Sequence, residues 1–326
     1  MARLASLLVV SFTSATLLPV TAAMGQRVSA GPLIVVSDEP GNRLVLVSAS
    51  TGELAGTIPV GARPRGISRS PDGKRIYVAL GKDDAVGVVD LRSRHVVRRL
   101  AVGKDPEQVA VSPDGKTVYV SNEEIASATA VDVASRRKRF SSPVGKEPEG
   151  IAVSPNGRKL YVTGESDSSV SVLDAVSGRN LTTLAVGARP RFIVFTRDGG
   201  RAYVSAENGG TVTEIDAGRD SVVATIVVGD RTTKPTGMAL SPDEKTLYLA
   251  NGRSNEVAII DLTTRATAAT VPVGERPWGV ALSGDGRTLY TANGRSGSVS
   301  VVDVEARRVT STLAVGGRPY TVLLVP

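Results

Sequence analysis

Residues 64–103 read PRGISRSPDGKRIYVALGKDDAVGVVDLRSRHVVRRLAVG, and residues 106–145 read PEQVAVSPDGKTVYVSNEEIASATAVDVASRRKRFSSPVG. Laid one over the other they are the same phrase, from an opening Pro to a closing Val-Gly. That closing pair recurs at Val60-Gly61, Val102-Gly103, Val144-Gly145, Val186-Gly187, Val228-Gly229, Val273-Gly274 and Val315-Gly316, with steps of 42 residues except one of 45. A proline follows each pair, at Pro64, Pro106, Pro148, Pro190, Pro235, Pro277 and Pro319. A fixed internal period of about 40 residues marks a repeat architecture, in which each unit buries its apolar surface against its neighbours.

Within one unit, GISRS, RIYVAL, AVGVVD and HVVRRLAV are short β-branched runs separated by SPDGKR, GKDD and LRSR. Runs of this length and composition read as strands, and Asp-Gly supplies a residue tolerant of positive φ for a tight turn. An Asp closes each third strand, at Asp90, Asp132, Asp174, Asp216, Asp261 and Asp303, where its carboxylate is placed to cap the turn's amides. No window has the period of a long amphipathic helix. Four antiparallel strands in about 42 positions make one blade of a β-propeller.

The chain ends complete the count. Before Pro64 there are only second-, third- and fourth-strand equivalents (LIVVS, RLVLVS, ELAGTIPV), and after Pro319 only a first-strand equivalent, YTVLLV. The expected fold is therefore all-β: a seven-bladed β-propeller of four-stranded antiparallel blades, closed by pairing of the C-terminal strand with the N-terminal blade. That closure removes the two free edges of an open array.

Composition narrows the rest. Only 4% of residues are aromatic against 41% hydrophobic, so valine and its relatives must fill the core. With no cysteine there is no disulfide framework, thiol nucleophile or thiolate metal site. Residues 1–23, MARLASLLVVSFTSATLLPVTAA, place a positive charge before an apolar run and small residues at the end, the layout of a signal peptide. The expectation is a cleaved leader over 1–23, a propeller over 24–326, a periplasmic or secreted destination and no membrane span after cleavage. The net charge of +7 favours anionic partners without choosing among them.

At YVALGKDDAVGVVD (77–90), YVSNEEIASATAVD (119–132) and LYLANGRSNEVAIID (247–261) the chain resembles the YVTN family of β-propeller repeats. The phrases DPEQVAVSPDGKTVYVSNE, EPEGIAVSPNG, ARPRFIVFTRDG, ENGGTVTEID and RPWGVALS further resemble the exported propeller associated with pyrroloquinoline-quinone (PQQ)-dependent alcohol catabolism. The resemblance implies an exported, non-catalytic accessory protein, and it supplies no catalytic residues.

Candidate site residues come from the loops that enter each innermost strand, since propellers usually meet ligands on that face. The basic loops carry Arg63 and Arg65, Arg189 and Arg191, Lys234, Arg276 and Trp278, and Arg318 and Tyr320; the acidic ones carry Asp105 and Glu107, then Glu147 and Glu149. The loops between second and third strands add Glu123, Glu124, Glu165, Asp167, Glu207, Arg253 and Arg295. The face is thus expected to divide by sign, acidic over blades three and four and basic elsewhere.

Arginine forks with Trp278 and Tyr320 suit a small anionic or ring-bearing ligand, or an acidic periplasmic protein. The bland alternative is that these charges pair across blades. Asp105, Glu107, Glu147 and Glu149 together would suit Ca2+ through oxygen ligands. A metal-dependent hydrolase or lactonase using Glu107, Glu149 and Glu207 is the catalytic alternative. A single-stranded nucleic-acid binder, stacking bases on Trp278, Tyr320 and Phe192, is a further one. The sole histidine, His95, opens a fourth strand on the opposite side, which disfavours a Ser-His-Asp triad. The 45-residue step, in VGDRTTKP, lengthens the entrance loop before blade six.

Overall fold

The computed structural model describes residues 31–326, and the expected leader over 1–23 lies outside the described residues. Seven sheets of four antiparallel strands form the ring. The innermost strand of blade one is Pro319–Val325, which pairs with Leu33–Asp38 in the register Leu33 to Val325 through Val36 to Val322. The C-terminal strand therefore closes the circle on the N-terminal blade. The innermost strands of blades two to seven are Pro64–Arg69, Pro106–Val111, Pro148–Val153, Pro190–Phe195, Pro235–Leu240 and Pro277–Leu282. Among the described residues no helix is long and apolar enough to cross a membrane.

Each blade packs on both faces, so its middle strands are buried almost throughout, as in Ile76 to Leu80 and Val118 to Asn122. Between blades two and three, Tyr77, Val86, Val88, Leu100 and Val102 meet Val109, Val118, Val120, Val131 and Val133. Small β-branched side chains interdigitate well on a pleated surface, which is how a chain with few aromatics still fills its core. The outermost strands bury alternate residues only, as in His95–Ala101.

The turns are built as their residues dictate. In SPDGK, the Ser70 hydroxyl donates to Asp72 at 2.5 Å and accepts from the Arg75 amide at 2.9 Å, while Gly73 takes φ 72°. Blade six has Glu244 where blades two to five and seven have Gly, and Glu244 adopts φ 58° in the same turn. Each third-strand Asp accepts from the following amides, Asp90 from Ser93 and Asp132 from Ser135, both at 2.8 Å.

Two local features aim the entrance loops. The residue before Pro is left-handed in six blades, with φ from 47° at Asp105 to 59° at Lys234. Immediately after Pro the pairing slips, between Pro64 and Ile67, Pro106 and Val109, or Pro190 and Phe192, for example. A bulge of this kind re-aims one side chain. Here it turns the residue after each Pro towards the channel mouth.

Candidate functional site

Seven equivalent side chains ring the mouth: Tyr320, Arg65, Glu107, Glu149, Arg191, Thr236 and Trp278, for blades one to seven. A second ring lies at the first position of the loops between second and third strands: Glu39, Gly81, Glu123, Glu165, Glu207, Gly252 and Gly294. Its place is fixed by the backbone, because each of these amides donates to the carbonyl of the residue before Pro. Examples are Glu123 to Asp105 at 3.0 Å, Glu207 to Arg189 at 2.8 Å and Gly252 to Lys234 at 2.8 Å.

The two rings neutralise each other over most of the circle. Arg63 donates to Asp105 and, at 2.8 Å, to Glu107, with Glu39 at 3.5 Å and Glu123 at 4.0 Å. Arg65 bonds Glu107 and lies 3.8 Å from Glu149 and 3.6 Å from Glu39. Arg191 reaches Glu149 at 3.0 Å and Glu207 at 2.6 Å, and it bonds Glu165 as well. Arg189 meets Glu165 at 2.8 Å, and Arg276 donates to Glu207 at 2.9 Å. From blade one, the Tyr320 hydroxyl donates to Glu149 of blade four at 2.5 Å, crossing the channel. Arg65 lies over the Tyr320 ring at 4.9 Å, Arg276 over Trp278 at 4.4 Å, and the two rings are 5.4 Å apart.

These side chains cap the channel, with Glu107 fully buried and Glu149 nearly so. A cavity of about 370 Å³ lies against the cap, walled by apolar residues of the inner strands such as Ile67, Val109, Ile151 and Val322.

Burial and like charge set the acidities. Burial, with Glu149 beside it, pushes Glu107 up to about 9 against the pull of Arg65 and Arg63. Burial pushes Glu165 up to about 7, resisted by Arg191 and reinforced by Glu149. For Glu149 burial acts upward too, but Arg191, Arg65 and the Tyr320 hydroxyl outweigh it and hold the carboxyl below its ordinary value. Glu207 is likewise held low, burial notwithstanding, by Arg191, Arg276 and Arg189. Burial and then Glu149 raise Tyr320 well above the ordinary phenol. Within the Glu107 and Glu149 pair, burial and like charge therefore raise Glu107 while the arginines hold Glu149 low.

The expected four-carboxylate group does not form. Asp105, Glu107 and Glu123 bring oxygens within 4.8 Å of one another, but Arg63 and Arg65 already supply the positive charge there. Glu147, left-handed at φ 51°, turns to Ser166 at 2.7 Å, and Glu149 points into the channel mouth. A Ca2+ ion at Asp105, Glu107 and Glu123 would compete with the Arg63 and Arg65 guanidiniums for the same oxygens.

The sectors of opposite sign are present in sequence but interleave in space. Arg63, Arg65, Arg189, Arg191 and Arg276 all meet carboxylates, Trp278 and Tyr320 pack under the arginines, and the Arg318 amide is tied to Asp38 at 3.1 Å. His95 is exposed on the opposite face, its Nδ1 2.5 Å from the Ser93 carbonyl. Sequence reading missed Glu39, whose only signal is its alignment with Glu123, Glu165 and Glu207.

Where the second ring carries Gly252 and Gly294 instead of Glu, the cap opens. A cavity of about 600 Å³ lies there between blades six and seven, lined by Lys234, Arg253, Arg276 and Arg295 with Glu207 and Glu275. A Cβ at Gly294 would stand 2.7 Å from the Trp278 ring, so glycine is what admits the indole.

Residues 176–315, from the end of blade four to the end of blade seven, match the family described as Lactonase, 7-bladed beta-propeller. No curated protein matches the chain. Among solved structures, hydrazine synthase from Kuenenia stuttgartiensis is similar, with a TM-score of 0.74 at 27% identity over 83% of this chain and 92% of that one. A functionally unknown protein from Desulfotomaculum acetoxidans DSM 771 superposes with a TM-score of 0.77 at 16% identity, over 90% of this chain and 98% of that one.

Proposed function

We propose that the protein is an exported binding or docking scaffold whose entrance face contacts an anionic partner. One observation carries this reading: the ionisable groups at the channel mouth are spent on one another, while the cations left over gather on the rim. Glu107, Glu149, Glu165 and Glu207 each face at least one arginine. None of them is an unencumbered general base. The leader-like residues 1–23 and the YVTN-like phrases support an extracytoplasmic setting, and the narrower resemblance supports service to a quinoprotein dehydrogenase system.

The test is an affinity pull-down from the source organism's periplasmic extract at low and high salt, with mass spectrometry of proteins and small molecules. A redox protein or anion that elutes with salt is expected, because contacts between exposed charges weaken as ionic strength rises. An eluate with no salt-sensitive component would defeat the scaffold reading.

The match of residues 176–315 to the Lactonase family favours a second reading, hydrolysis of a cyclic ester at the mouth with Glu107, Glu149 or Glu207 as the acid-base group. Lactone turnover that is lost in Glu207→Gln would select it. Turnover abolished by a chelator would make it metal-dependent.

A further inference from the structure

Resting on the reading of this face as a binding surface, we propose that the cavity between blades six and seven is the seat of a small organic dianion, held by Arg253, Arg295, Lys234 and Arg276. The observation is a change of residue at matched positions. In blades three, four and five the second ring carries Glu123, Glu165 and Glu207, which reach inward and neutralise the entrance arginines. Blades six and seven repeat Asn-Gly-Arg-Ser instead, at 251–254 and 293–296. Glycine removes the neutralising carboxylate, with the Trp278 indole against Gly294 and the Arg276 guanidinium against Gly252, and the next residue brings a guanidinium to the cavity's edge.

The charge is not consumed locally. Arg253 and Arg295 are exposed and, among the described residues, have no carboxylate within ion-pair distance, while Lys234 bonds the neutral Asn208 amide. Arg276 shares one nitrogen with Glu207, whose carboxylate also serves Arg191 and Arg189. That leaves exposed Glu275 as the one lining carboxylate not committed to a cap arginine. Lys234, the last residue of the single lengthened entrance loop of the array, supplies a cation to this cavity.

Size and geometry then choose the ligand class. About 600 Å³ exceeds what a bare inorganic anion fills and suits a small organic molecule. Two free planar forks favour carboxylate or phosphate groups recognised two donors at a time. A phosphomonoester and a polycarboxylate share this chemistry.

Trp278 is the only tryptophan, and Arg276 lies over its ring at 4.4 Å, so its fluorescence reports on the seat. The experiment titrates the full protein with citrate, glycerol 3-phosphate and inorganic phosphate, read by Trp278 fluorescence and by calorimetry. Saturable binding of citrate or glycerol 3-phosphate is expected, tighter than inorganic phosphate, with the stronger of the two naming the headgroup. Arg253→Glu with Arg295→Glu should weaken it at least tenfold. The same charge change by Arg307→Glu with Arg308→Glu, on the opposite face, should leave it unaltered. Unchanged affinity in the first variant, equal weakening in the second, or no saturable binding would each overturn the seat. The broader scaffold reading would survive any of these if the extract still yielded a salt-sensitive partner.

Discussion

Arg191 is the residue on which the cap turns. Nearly buried, it faces Glu149, Glu165 and Glu207 together. Removing it leaves three carboxylates in a low-dielectric site without their main counter-charge, and breaking a buried pair from one side costs about 3–5 kcal/mol. Arg191→Ala is therefore expected to lower the urea-unfolding free energy by that amount. Arg189→Ala, whose side chain is 44% exposed although it meets two of the same carboxylates, should cost no more than about 1 kcal/mol. Equal effects would mean that the burial of Arg191 is unimportant. Glu165 gives a pH test at the same scale. Its carboxyl is raised from 4.5 to about 7, so the folded state holds the proton more tightly than the unfolded one. Its contribution to stability is complete below about pH 4.5 and is lost as pH rises through about 7. Glu165→Gln should flatten the decline in thermal midpoint between pH 5 and pH 8. The decline attached to Glu107, which runs from about pH 4.5 to about pH 9, should remain as the residual slope. An unaltered profile between pH 5 and pH 8 would show that another group titrates there.

At the level of strands and loops, most of the fold was legible before any coordinates. The Val-Gly and Pro landmarks placed every blade, and SPDG and the third-strand Asp placed the turns, because those features are local and depend on backbone chemistry that repeats unchanged. The site was less legible. Tyr320 meets Glu149 from 171 positions away and Arg276 meets Glu207 from 69, so pairing depends on radial position, which alternation along a strand does not encode. The division by sign was readable as composition, but the neutralisation it produces was not. The glycines of the second ring carry the remaining information. At Gly294 an added methyl would stand 2.7 Å from Trp278 Cδ1, whereas at Gly73 it meets nothing within 4 Å, although φ 72° still favours glycine there. Gly294→Ala is expected to displace the indole and shift its emission. Gly73→Ala should leave the spectrum unchanged and cost about 1 kcal/mol through its left-handed backbone. Identical spectra for both variants would mean that Trp278 does not rest against the blade-seven loop.

Closure sets the stability of the whole ring. The strand Pro319–Val325 completes blade one, pairs with Leu33–Asp38, and buries Tyr320, Val322 and Val325. Losing it would uncover Ile34, Val35 and Val36, all essentially buried, and free a row of backbone donors and acceptors on the innermost edge. Burying each large apolar side chain contributes about 1.5–3 kcal/mol. Several such losses approach the 5–15 kcal/mol that holds a typical domain together. Deletion of residues 319–326 is thus expected to give an aggregated or oligomeric product by size-exclusion chromatography. The deletion also removes the Tyr320 hydroxyl from the cap, so a second variant must separate the two effects. Tyr320→Phe keeps the strand and its ring packing and discards only the bond to Glu149. It should elute as the parent protein does and lose about 1.5–3 kcal/mol, the range for a hydrogen bond to a charged group. If the deletion behaved no worse than Tyr320→Phe, the ring would be held by contacts between neighbouring blades, and strand pairing between the two chain ends would be dispensable. If only the deletion fails, the last seven-residue strand is what converts six complete blades and a partial one into a closed molecule.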